Sequence, residues 1–183
     1  MSTKVHATIE DLYKVPGDAK AEIINGEIHL MSPTGDLPNR AAGAIYISLR
    51  QYESKVKNGR AYSDNAGFKV NLPHRESFSP DAAFYTGKPT GMKFLEGVPV
   101  FAAEVRSAGD YGPKAEEEIA QKLRDYFAAG TKVVWDVDLL STDVIRVYRA
   151  SEPNAPTVYR HGEMAEAEPA VPGWTIAVDD LFK

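Results

Sequence analysis

Apolar and polar positions alternate along this chain with a period that switches several times, and each switch marks a new element. Ser2 to Val15 predicts a short helix, capped at Thr8 ahead of Leu12 and Tyr13 and ended by Pro16-Gly17-Asp18. Ala21 to Ile24 and Glu27 to Leu30 flank Asn25-Gly26, a strong hairpin signal. After the loop Ser32 to Asp36, Ala41, Ile45, Ser48, Leu49, Tyr52 and Val56 fall on one face of a helix from about Pro38 to Val56, stopped by Asn58-Gly59. Strand-like pieces follow at Arg60 to Ser63, Gly67 to Leu72 and Phe78 to Tyr85. The run from Val98 to Val105 is mostly apolar on both faces, as in the middle of a covered sheet.

Ala115, Ile119, Leu123, Tyr126 and Phe127 then predict a second long helix, Lys114 to Ala129, ended by Gly130. Lys132 to Val137 is another buried strand, and Val144 to Arg149 alternates as a half-exposed one. Val158-Tyr159 and Trp174 to Ile176 are short edge pieces, a β extension that ends in the turn Asp179 to Phe182. The pattern is that of one α/β or α+β domain over residues 1–183, with a mixed central sheet flanked by helices.

Composition narrows the chemistry. The 183 residues contain no cysteine, which removes thiol nucleophiles, zinc fingers, iron–sulfur clusters and disulfide frameworks. No apolar run reaches the roughly 18 residues of a membrane span, and the first ten residues lack an export-signal pattern, so the expected setting is cytoplasmic. The net charge of -5 argues mildly against a nucleic-acid binder, although a cluster of metal-binding acids can make an enzyme acidic overall.

The informative positions are acids inside apolar strands. Period two puts Phe101, Ala103 and Val105 on one face and Ala102, Glu104 and Arg106 on the other, so Glu104 lies mid-strand where a lone carboxylate costs several kcal/mol. On that segment alone, pairing with Arg106 is the simpler explanation. Asp81 opens a second apolar strand after Pro80, and two neighbouring strands can bring both acids to one point. Magnesium takes one or two protein carboxylates and fills its shell with water and phosphate. Lys122 sits on the border of the apolar stripe of its helix, able to reach over the sheet edge; taken alone, its spacing from Glu118 favours an ordinary i,i+4 pair.

Five segments in order carry a resemblance: Glu22 to Glu27, Met31 to Pro33, Pro80 to Phe84, Ala103 to Ser107 and Gln121 to Tyr126. From about Leu12 to Phe182 the chain resembles the Uma family of bacterial putative restriction endonucleases, within the PD-(D/E)XK nuclease superfamily. The resemblance implies a restriction-endonuclease-like core, with Asp81, Glu104 and the Val105 carbonyl as ligands of Mg (or Mn) and Glu22 as an additional acid. The superfamily lysine normally lies two residues after the glutamate. Arg106 stands there and cannot act as a base, so Lys122 takes that role in the resemblance. Where the family often has a histidine near the start of the long helix, this chain has Asn39-Arg40.

The implied reaction is hydrolysis of DNA phosphodiesters, with Arg40, Arg50, Lys69, His74 and Arg75 as phosphate contacts. Cutting two strands favours a homodimer. The alternative is a nuclease-fold module without catalysis that binds nucleic acid or assembles with protein, which the acidic charge and Arg106 favour. Paired carboxylates could also serve a glycosidase, but no aromatic groove accompanies them.

Overall fold

The hairpin Asn25-Gly26 joins β1 (Ala21–Ile24) to β2 (Glu27–Leu30), and both turn residues have positive φ, 52° and 73°, as a two-residue hairpin turn requires. The computed structural model describes residues 6–16 and 19–183; the part of the predicted first helix at Ser2 to Val5, and Gly17-Asp18 in its stop signal, lie outside them. Within the described part that helix, α1, is only Ile9–Leu12, following the Thr8 cap. The long helices match their pattern closely: α2 is Asp36–Val56 and α3 is Pro113–Ala129. The stop of α2 is Lys57, in the left-handed conformation at φ 55°, one residue ahead of the predicted Asn58-Gly59.

The remaining strands are β3 (Arg60–Ser63), β4 (Phe68–Leu72), β5 (Arg75–Phe78), β6 (Ala82–Tyr85), β7 (Leu95–Glu96), β8 (Phe101–Val105), β9 (Val133–Val137), β10 (Ile145–Arg149), β11 (Glu152–Tyr159), β12 (Met164–Glu166) and β13 (Thr175–Ala177). They form a five-stranded sheet, β2-β1-β5-β4-β7, a six-stranded sheet, β11-β10-β9-β8-β6-β3, and the pair β12-β13. In the six-stranded sheet only β8 and β9 run parallel. The mixed α+β architecture with a C-terminal β extension is the one the pattern predicts.

One predicted element divides. The run Phe78 to Tyr85 is not a single strand, because Ser79-Pro80-Asp81 bends the chain out of β5 in one sheet and into β6 in the other. Pro80 has no N–H to give a ladder, so a break there is the low-energy solution.

The six-stranded sheet is covered on both faces. Ala41, Ile45 and Leu49 of α2 pack with Phe84, Phe101, Ala103, Val105 and Trp135 on one side. On the other, Tyr126 of α3 joins Phe68, Phe78, Ala102 and Val134, filling the space between helix and both sheets. Alternation therefore sends Glu104 to the α3 side, alongside Ala102. Trp135, Phe101 and Trp174 form an aromatic cluster in this core, the two indoles stacked and Phe101 edge-on to Trp135, with ring centroids 5.1–5.4 Å apart.

Two glycines test this local account. Gly130 ends α3 at φ 111°, a conformation that costs an L-residue about 1–2 kcal/mol. Gly43 lies inside α2 with nothing within 4 Å of the position a Cβ would take, where alanine gains up to about 1 kcal/mol. Thermal melts are expected to fall for Gly130→Ala and rise for Gly43→Ala; the same sign for both would contradict the assignment.

Candidate active site

Chain passage between the two sheets creates the site. Glu22 comes from β1 in one sheet and Glu104 from β8 in the other, while Asp81 sits on the bend that connects them. The Asp81 amide donates to the Ala103 carbonyl at 3.1 Å, and the Val105 amide donates to Asp81 Oδ2 at 2.7 Å. These bonds anchor Asp81 beside the end of β8, next to Glu104 and Val105.

From the helix side, Lys122 Nζ reaches Glu104 Oε2 at 2.9 Å and Glu22 Oε1 at 3.1 Å. Four residues on, the Tyr126 hydroxyl donates to Glu104 Oε1 at 2.6 Å. Its ring stacks on Phe78 at 4.0 Å between centroids, which fixes where the hydroxyl points. The simple i,i+4 pair does not form: Glu118 pairs with Lys114 instead, at 3.3 Å. Lys122 has its stem buried against the apolar stripe and its charge at the sheet seam.

The expected Glu104–Arg106 pair is also absent. Arg106 donates through Nε and Nη2 to both oxygens of Asp136, each at 2.7 Å, and also binds Glu116. Asp136 is the β9 residue in register with Glu104. Arg106 thus neutralises the neighbouring acid and leaves Glu104 to Lys122 and Tyr126. Hydrogen bonds to Asp136 hold the guanidinium charged against the opposing effect of burial.

The five expected phosphate contacts are scattered. Arg40 and Arg50 belong to α2, which packs on the opposite face of the six-stranded sheet; Arg40 binds the Lys183 carbonyl and Arg50 pairs with Glu53. Lys69 is half-exposed, 4.0 Å from Glu96. His74 Nε2 lies 2.6 Å from Asp125 Oδ1 and keeps 40% of its side chain exposed. Arg75 requires a correction. Only 5% of its side chain is exposed, and it is clamped between Glu22 and Asp125 with its guanidinium 4.8 Å from the Phe78 ring centroid. A group so enclosed holds the acids in place and has no face left for a phosphate.

Two participants escaped sequence reasoning. Lys20 Nζ is 2.6 Å from Asp81 Oδ1 and 2.6 Å from Asp64 Oδ1. The Lys20 carbonyl accepts from the Met31 amide, so the β1–β2 ladder extends back to it; two residues before Glu22, it lies on the same face, and that spacing was the available signal. Tyr126, counted only as part of an apolar stripe, repeats Lys122 one helical turn later.

The electrostatics follow from this crowding. Burial pushes the Glu104 carboxyl up; Lys122 opposes this, but Asp81 and Glu22 add repulsion, and its pKa stays above the usual range. Burial also pushes Glu22 up, yet Lys122, Arg75 and the Ser79 amide outweigh it and hold its pKa below normal. For Lys122, burial disfavours the charge while Glu104 and Glu22 favour it more strongly, so it remains an ammonium. The same balance, with Asp81 and Glu104 as the attracting acids, holds Lys20 charged.

Asp81 and Glu104 are the oxygen pair that suits a hard divalent cation, which needs only one or two protein carboxylates. A third acid, Glu22, and a buried Ser79 hydroxyl with no protein partner stand nearby. Among the described residues no three acids or histidines are gathered closely enough to cage an ion. Ammonium groups occupy the space between them. Two surface clefts, of about 380 and 560 Å³, lie elsewhere, the first lined by Arg50 and Glu53, the second by Tyr62, Met92 and Phe94. Among the described residues no helix is long and apolar enough to cross a membrane.

Comparison with known proteins adds three findings. Residues 8–179 match the family model Uma2, described as "Putative restriction endonuclease". A crystal structure described as a putative nuclease belonging to DUF820 from Anabaena variabilis superposes with a TM-score of 0.74 over 96% of this chain and 97% of that one, at 16% identity, a likeness of fold. No curated protein matches.

Proposed function

The chain belongs to the Uma2 family of putative restriction endonucleases, and on that premise we propose that it hydrolyses phosphodiester bonds of DNA with a divalent cation, magnesium or manganese, held by Asp81 and Glu104. The observation that carries this reading is Lys122 reaching from α3 to Glu104 and Glu22 at the seam of the two sheets. When bound, the cation supplies positive charge that polarises the phosphate and makes a water acidic enough to attack.

The chain's own groups do the rest. Glu22 holds Lys122 in place and Arg75 holds Glu22. As an ammonium, Lys122 stabilises charge on the phosphate and orients water; a group kept protonated by two acids is poorly suited to remove a proton. The Tyr126 hydroxyl fixes the second oxygen of Glu104. The Val105 carbonyl, at the end of the same strand, would complete the cation's shell. Lys69 and His74 are proposed as phosphate contacts, with Arg40 and Arg50 serving DNA that wraps to the α2 face. A homodimer in the cytoplasm fits cutting of both strands.

A noncatalytic nucleic-acid or assembly module remains the second reading, favoured by the saturation of Asp81 and Glu104 with ammonium and hydroxyl partners. Incubating the purified chain with supercoiled plasmid separates the two. Nicking is expected with magnesium or manganese and not with a chelator. Lys122→Met should slow it by about 10²–10³-fold, the ordinary loss on removing one charge-stabilising donor, with unchanged circular dichroism. No nicking under any metal condition supports the module.

A further inference from the structure

Asp81 is fully committed. Its Oδ2 accepts the Val105 amide, and its Oδ1 is met by Lys20 Nζ at 2.6 Å. Lys20 is itself shared, with Asp64 Oδ1 also at 2.6 Å. The three partners grade outward: 16% of the Lys20 side chain is exposed, 20% of Asp81 and 40% of Asp64. Building on the reading of Asp81 as a metal ligand, we infer that Lys20 is an internal stand-in for the divalent cation, neutralising Asp81 while the site is empty and withdrawing to Asp64 when the ion arrives.

The geometry makes that exchange inexpensive. The Val105 amide keeps the Asp81 carboxylate aimed whether or not Lys20 is present, so no backbone movement accompanies it. Losing Asp81 leaves Lys20 with a carboxylate already in hydrogen-bonding contact, the more exposed of the two. Without such a counter-charge, Asp81 would face Glu104 with no cation of its own, since Lys122 is engaged by Glu104 and Glu22 and Arg75 by Glu22 and Asp125. Lys20 therefore holds the empty site together and sets a threshold the cation must exceed.

The threshold is measurable without catalysis. Isothermal titration of manganese or magnesium into the full chain should give a dissociation constant about tenfold or more tighter for Lys20→Met than for wild type, because a competing charge within 4 Å is gone. Lys20→Arg, which keeps the charge, should bind as weakly as wild type. Asp64→Asn should bind more weakly, since Lys20 loses its alternative partner, and the double variant should bind as tightly as Lys20→Met. Asp64 is at the surface, so its variants test the inference even where Lys20→Met folds poorly. If wild type binds the ion and Lys20→Met binds equally or less well, Lys20 is only structural and the metal site stands without it. If neither binds, the metal site and this inference fall together.

Discussion

Glu104→Gln and Asp81→Asn are each expected to reduce metal-dependent cleavage by about 10³-fold or more, because the cation contributes several kcal/mol of charge stabilisation. The second readout is thermal. At a metal concentration about 100 times the dissociation constant, binding stabilises the native state by about 2.7 kcal/mol, a rise in melting temperature of roughly 5–10 °C for a chain of this length. Both variants should lose that rise. They should differ without metal. Glutamine at 104 keeps an acceptor for Lys122, and it removes a buried charge that desolvation, Asp81 and Glu22 all oppose. The metal-free melt of Glu104→Gln should therefore be close to wild type. An equal metal-induced rise in wild type and both variants would falsify Asp81 and Glu104 as ligands.

Arg75→Met should produce the largest loss of stability. It removes the shared cation of Glu22 and Asp125, both 2% exposed at the side chain, and breaking a buried pair from one side costs about 3–5 kcal/mol. The expected fall in melting temperature is on the order of 10 °C. Its pH dependence has a defined sign. For Glu22 and for Asp125, burial acts upward but is outweighed, by Lys122 and Arg75 in the first case and by Arg75, His74 and Gln121 in the second, so both native pKa values lie below their ordinary ones. Carboxylates of that kind add stability above the unfolded pKa, near 4, and lose it as pH falls through the lower native value. Without Arg75 both acids lose a cation that holds their pKa down, so their native values move up toward the ordinary ones. The gap between variant and wild type should hold at its full size above about pH 4 and narrow as pH falls below it. A gap that stays constant, or widens in acid, would show that Arg75 acts through packing alone.

Much of the site was legible because its chemistry violates local pattern. A glutamate in the middle of Phe101 to Val105 and an aspartate opening Ala82 to Tyr85 are unfavourable unless something compensates, and the strand period alone assigns Glu104 to the face opposite Phe101. Helix α3 placed Lys122 on a stripe border in the same way. The compensating partners were not legible, since proximity in sequence favoured Arg106 for Glu104 and Glu118 for Lys122. Both near partners proved to be engaged elsewhere, Arg106 by Asp136 and Glu118 by Lys114. Arg75 looked like a surface cation because nothing nearby in sequence marks it as buried.

What the amino-acid order determined by itself is whatever depends on residues two to four apart: the Asn25-Gly26 turn, the spans of α2 and α3, the stop at Gly130, and which strand positions face the same side. The pairing of charges at the site belonged to the tertiary structure alone. Lys20 meets Asp81 across 61 positions and Arg75 meets Glu22 across 53. The first distance closes once Pro80 has turned the chain from one sheet into the other, the second when β5 pairs with β1; a periodic pattern carries no information about which strands will pair.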